Sequence, residues 1–120
     1  MRRGWPAYAL ERIKILAASW REAAEKTAQA CLRILGSSCR EVYVVGGVAE
    51  NRITVFSDLD IVIVVDDPRL KTLETIIAVK REAEELGVPA EITLDIKLLE
   101  PGELKELVSK GTYKKLIKIK

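Results

Sequence analysis

Histidine is absent from this 120-residue chain. With it go the commonest general base and one of the two commonest zinc ligands. Any catalysis must therefore use carboxylates, lysine, tyrosine or metal-bound water. Cysteine is limited to Cys31 and Cys39, without CxxC spacing, which argues against structural zinc. No apolar run approaches the length of a membrane span, and Met1-Arg2-Arg3-Gly4-Trp5-Pro6 lacks the apolar stretch of a signal peptide. A soluble cytoplasmic protein with no membrane partner and both thiols reduced is the expectation. Asn and Gln occur once each, as Asn51 and Gln29, beside plentiful Lys, Glu, Arg, Ile and Val. That composition is associated with proteins that work hot.

What is present suits one domain over residues 1–120, with its core motif at about 42–99. The chain is long enough for one hydrophobic core and short for two. Twenty basic and 18 acidic residues leave a net charge of +2, so any binding of phosphate must come from local clustering. Lys110, Lys114, Lys115, Lys118 and Lys120 crowd the end of the chain. They read either as a solvated face or as a patch for nucleic acid or an acidic partner.

From about Pro6 to Leu35, Ile13, Leu16, Trp20, Ala23, Thr27, Cys31 and Ile34 recur in steps of three and four, which predicts a long amphipathic helix with room for one break. Pro6 suits its first turn and Gly36 its C-terminal cap. Trp5, Tyr8 and Trp20 on or near it serve either core or interface. Ser37 to Arg40 reads as a loop and Val42–Val45 as a short buried strand ending at Gly46-Gly47. Val48 to Arg52 is expected to make one helical turn. Leu59–Val65, apolar throughout except Asp60, reads as a central strand buried on both faces. A helix from Pro68 to Leu86, a strand over Glu91–Leu99 and a helix over Glu103–Ser109 follow. The segment from Tyr113 onward is open between strand and frayed helix.

Asp58 and Asp60 sit two apart at the start of the central strand, so their side chains share a face at about 6.6 Å. Like charges at that spacing repel by roughly 2–3 kcal/mol at an effective dielectric near 20, which a divalent cation relieves. Asp95 interrupts a later apolar alternation and joins them if its strand pairs beside the central one. Three carboxylates without thiolate or imidazole are hard ligands suited to Mg²⁺ or Mn²⁺. Gly46 and Gly47 leave backbone N–H groups open to phosphate oxygens. Taken singly, each of these features reads as ordinary structure; the combination is the signal.

That combination runs Gly46-Gly47, ten residues, Asp58-Leu59-Asp60, then Asp95 inside a later strand. It resembles the minimal nucleotidyltransferases of the DNA polymerase β-like superfamily, and within it the antitoxin type. The likeness extends from about Val42 to Leu99. It implies an α/β (α+β) nucleotidyltransferase fold: a small mixed sheet of three to four strands flanked by helices, with the long N-terminal helix. It implies Asp58, Asp60 and Asp95 as catalytic residues and metal ligands, with Gly46, Gly47, Ser57 and Arg52 at the nucleotide. Mg²⁺ or Mn²⁺ would be the cofactor and ATP the substrate. The chain departs from the family at Gly47, in the place of a common serine, and at Ala49-Glu50-Asn51, where Ala-Arg-Gly is usual. Glu50 removes a cationic contact for triphosphate, and Arg52 is the nearest substitute.

Relatives of this size are often partnered with a helical HEPN-domain protein, and some transfer AMP to a tyrosine of that toxin. The resemblance thus implies Mg-dependent transfer of a nucleotide to a protein acceptor. The alternatives are a weakly catalytic binding module that acts by partner contact, and an RNA-binding domain that uses the lysine-rich tail. Homo-oligomerisation stays open.

Overall fold

One unbroken helix, α1 (Ala7–Leu35), spans the computed structural model, which describes residues 7–120. Trp5 and Pro6, expected at its start, lie outside the described residues. The helix buries Leu16, Ala23, Ala24, Thr27, Ala28, Ala30 and Cys31; these mostly small residues let its backbone approach the sheet closely. Thr27, the buried hydroxyl of this stripe, donates to the Ala23 carbonyl at 2.8 Å and so leaves no unmet polar group. The expected break does not occur. Nor does Ile34 face inward: it is 40% exposed, because Leu35 takes the inward position of the last turn.

A single 3₁₀ turn, Gly36–Ser38, reverses the chain into β1 (Cys39–Val45). The reversal brings Cys39 back to Cys31 with Cα atoms 5.9 Å apart, and the two form a disulfide. This corrects the expectation of two reduced thiols, which rested on compartment and spacing and could not see the turn. The crosslink spans a separation of eight residues, a closure worth about 2.5 kcal/mol through the unfolded state. A Cys31→Ala/Cys39→Ala variant should lose that much in denaturant titration under oxidising conditions; an unchanged midpoint would show the bond to be energetically idle.

After β1 come α2 (Gly46–Ala49), β2 (Leu59–Val65), α3 (Leu73–Glu85), β3 (Leu94–Leu99), α4 (Pro101–Ser109) and β4 (Ile117–Lys118). The helical turn expected over Val48–Arg52 thus begins two residues earlier. The open C-terminal segment resolves as a short strand at its end. Thr72 caps α3 by accepting from the Thr75 N–H at 3.1 Å. The strand order is β3-β2-β1-β4, with β2 parallel to β3 and β1 antiparallel to both β2 and β4. Among the described residues no helix is long and apolar enough to cross a membrane.

Period-two alternation divides the sheet into two faces. Leu59, Ile61, Ile63 and Val65 of β2, Val42 and Val44 of β1, and Leu94, Ile96 and Leu98 of β3 pack against α1 and α3 in the larger core. Val62 and Val64, with Val45 and Leu99, meet Leu104 and Leu107 of α4 on the other face, joined by Tyr113 and Leu116. Asp60, Asp95 and Lys97 share this second face by alternation. The apolar cover there lies over Val62 and Val64, so the half carrying Asp60 and Asp95 is only partly covered.

Candidate active site

Asp60 and Asp95 are direct neighbours in the parallel β2–β3 ladder. Parallel pairing in register sets their carboxylates side by side, and the Leu59 N–H reaches the Thr93 carbonyl at 2.9 Å to hold the strand entries together. The two carboxyl groups are close enough to act on each other as a hydrogen-bonding pair. Burial, that hydrogen bond and the Asp95 charge raise the Asp60 carboxyl from 3.8 to about 6, against a smaller lowering by Lys97. Asp58 adds the weakest of the repulsions. The stronger pair is therefore Asp60–Asp95 across strands rather than Asp58–Asp60 along one strand.

Gly46 closes one wall. It follows Val45, which pairs with Asp60, and adopts φ +71°. A Cβ there would stand 2.3 Å from Asp60 Oδ2 and 3.1 Å from its Cγ. The Asp60 carboxylate thus occupies the volume that any other residue would fill. A Cβ on Gly47 would meet the Arg52 carbonyl oxygen at 2.9 Å and Ser57 Oγ at 3.8 Å. Ser57 also locks the approach to β2, its Oγ accepting from the Thr54 N–H at 2.8 Å and its own N–H donating to the Thr54 carbonyl at 3.1 Å. Gly46 is thus set against Asp60, whose ladder neighbour is Asp95, and Gly47 against Arg52 and Ser57.

Arg52 is placed otherwise than the sequence suggested. Its guanidinium donates twice to Glu50 Oε1, at 2.8 and 3.3 Å. Glu50 is the more buried partner, its side chain 19% exposed against 65% for Arg52. The pair cancels the repulsion that Glu50 would bring to a triphosphate, and it also consumes the cation expected to replace the missing arginine. Lys97, which sequence reading passed over, joins the site through Asp95 Oδ2 at 3.4 Å. Its position two residues after Asp95 on a strand was the available signal.

Among the described residues no three acidic, histidine or cysteine side chains form a ready metal cage. Mg²⁺ does not need one: it commonly takes one or two carboxylates and completes its shell with water and substrate phosphates. Two hard-oxygen carboxylates of like charge set side by side fit that chemistry. The larger concavities lie elsewhere. One of about 360 Å³ is lined by Ile77, Val88, Ile92 and Leu94, with Glu84 its lone acid; another of about 540 Å³ lies by Arg40, Asp66 and Pro101. Neither includes Asp60 or Asp95, and the paired carboxylates outweigh size in locating the chemistry.

The sequence model for the nucleotidyltransferase domain matches residues 24–118. The fold is similar to a crystal structure, at 1.40 Å resolution, of a protein from Sulfolobus solfataricus provisionally assigned as a nucleotidyltransferase. The two share 20% identity with a TM-score of 0.52, over 98% of this chain and 90% of the other. No curated protein matches the chain.

Proposed function

Because this chain belongs to the nucleotidyltransferase domain family, we propose that it transfers a nucleoside monophosphate, AMP from ATP, to an acceptor hydroxyl with release of pyrophosphate. The observation that carries the reading is the in-register Asp60–Asp95 pair beneath Gly46. Asp60, Asp95 and Asp58 would hold Mg²⁺. That ion, when bound, supplies neutralisation of phosphate charge and a more acidic acceptor hydroxyl. The acceptor oxygen bonds to the α-phosphorus as the bond to the bridging oxygen of the β-phosphate breaks. With no histidine in the chain, the acceptor's proton goes to a carboxylate of the aspartate cluster. Gly46 and Gly47 keep the wall thin enough for the phosphates to approach.

The acceptor in this reading is a protein, a tyrosine of a HEPN-type partner, which would make the chain an antitoxin. Tyr8 at 72% exposure and Leu10 at 45% on α1 support a protein-facing surface. A second reading, a module that binds its partner without efficient transfer, is favoured by the Arg52–Glu50 pairing, which leaves Arg52 committed away from a triphosphate.

The test is binding of a nonhydrolysable ATP analogue with and without Mg²⁺, in the wild type and in Asp58→Asn/Asp60→Asn. Metal-dependent binding that disappears in the variant is expected. Absence of binding in the wild type would reject the enzymatic reading, and binding without turnover on any partner would favour the module.

A further inference from the structure

β3 is an edge of the sheet: the order β3-β2-β1-β4 leaves its outer side without a strand partner among the described residues. The Leu59 N–H bonds to the Thr93 carbonyl. By alternation along a parallel ladder, Asp95 and Lys97 then turn their backbone groups to β2, while Leu94, Ile96 and Leu98 turn theirs outward. An open edge of this kind is a template for another strand.

The cavity of about 360 Å³ adjoins the start of that edge. One wall is a face of α3 at helical spacing, Ile77, Lys80, Arg81 and Glu84. The other is the run into β3 through Val88, Ile92 and Leu94. Ile77 stays 40% exposed there. The charged side carries two cations against one acid, and none of the three is in an ion pair among the described residues. An apolar floor with surplus positive charge suits an apolar side chain close to a carboxylate.

This groove is coupled to the carboxylate pair by the sheet itself. Leu94 lines the cavity, and the next residue, Asp95, belongs to the opposite face beside Asp60. A strand added at β3, about 4.8 Å away, alternates in the same way. A residue of that strand whose neighbours enter the cavity therefore lies on the carboxylate face, next to Asp95. Resting on the nucleotidyl-transfer reading above, we propose that the protein acceptor docks as an extended segment on the open edge of β3. An apolar and an acidic residue of the segment occupy the cavity, and the residue between them carries the acceptor hydroxyl to Asp95.

The probe is a fluorescently labelled peptide, acetyl-Val-Thr-Leu-Tyr-Asp-Thr-Val-amide, with a counterpart in which lysine replaces its leucine and aspartate. Binding is followed by anisotropy, with saturating Mg²⁺ and nonhydrolysable ATP analogue, in wild type, Ile77→Asp and Lys80→Glu/Arg81→Glu. All three substituted side chains lie outside the core clusters. The wild type should bind the acidic peptide at least about tenfold more tightly than the lysine peptide, the worth of one charge-assisted contact. Ile77→Asp should lose that binding, and Lys80→Glu/Arg81→Glu should reverse the preference. Methylating alternate backbone nitrogens of the acidic peptide should abolish binding in one of the two sets and spare it in the other, since only one set faces β3. Equal binding of both peptides, a preference unmoved by the α3 variants, or equal sensitivity of the two methylated sets would overturn the assignment. If the wild type binds the analogue but not the acidic peptide, this inference falls and the transfer reading stands. If it binds no analogue, the transfer reading falls and the acceptor role falls with it.

Discussion

Asp60→Asn should lose nucleotidyl transfer by about a thousandfold or more while making the folded protein harder to unfold at pH 7. On the proposed mechanism the loss follows from removing a metal ligand, whose several kcal/mol of charge stabilisation in the transition state convert to about three decades of rate. The gain in stability follows from the geometry of the pair. Asp60 sits beside Asp95 in register, and its carboxyl is raised from 3.8 to about 6, first by burial and then by Asp95. A carboxyl that holds its proton more tightly when folded contributes stability that is complete below the unfolded value near 4. That contribution is lost as pH rises through about 6. At pH 7 the wild type therefore carries a penalty. The displacement has a ceiling of about 3 kcal/mol, which falls to about 1 kcal/mol because the group is only part-buried and solvent still screens it. Asparagine removes the penalty and can donate to Asp95. Denaturant titrations from pH 4 to 7.5 should show wild-type stability falling through pH 6 and a flatter profile for the variant. Saturating Mg²⁺ should raise the wild-type midpoint at pH 7 and leave the variant's nearly unchanged. Parallel pH profiles would show that the pair stores no such repulsion.

The features that positioned this site were legible where they depended on period and spacing. Leu59–Val65 could only be a strand buried on both faces, and Asp60 stood out as the one charge in it. The pairing of β3 beside β2 was conditional in the sequence, because alternation in Glu91–Leu99 marks a strand without naming its neighbour; the parallel register with Asp95 level with Asp60 is a tertiary fact. Asp58 looked equivalent to Asp60 because spacing along one strand was all the sequence offered. In the fold the cross-strand neighbour is the stronger partner. The Glu50–Arg52 pair and the Cys31–Cys39 disulfide were missed for a common reason: each depends on a tight turn. Asn51 at φ +59° turns Arg52 back on Glu50, and Gly36 at φ +58° begins the reversal that returns Cys39 to Cys31. Local composition marks such turns but does not say which side chains they bring together.

Gly46→Ala should fail in both stability and activity, and Gly36→Ala separates the two effects. Both glycines have positive φ, +71° at Gly46 and +58° at Gly36, so alanine at either costs about 1–2 kcal/mol in backbone strain. At Gly36 the added Cβ meets nothing within 4 Å, whereas at Gly46 it would stand 2.3 Å from Asp60 Oδ2, 3.1 Å from Cγ and 3.3 Å from Cβ. Rotation of the terminal oxygen alone does not clear three atoms. The whole Asp60 side chain must shift on a strand buried between two layers, and the shift separates it from Asp95. A displacement of about 1 Å at a reacting centre is enough for a hundredfold loss of rate. Gly36→Ala should thus lower the unfolding midpoint and leave transfer and Mg²⁺-dependent nucleotide binding intact. Gly46→Ala should lower the midpoint at least as far and reduce transfer by about a hundredfold or more. Equal activity in the two variants, measured at a temperature where both are folded, would mean that the close approach of Gly46 to Asp60 does not shape the site.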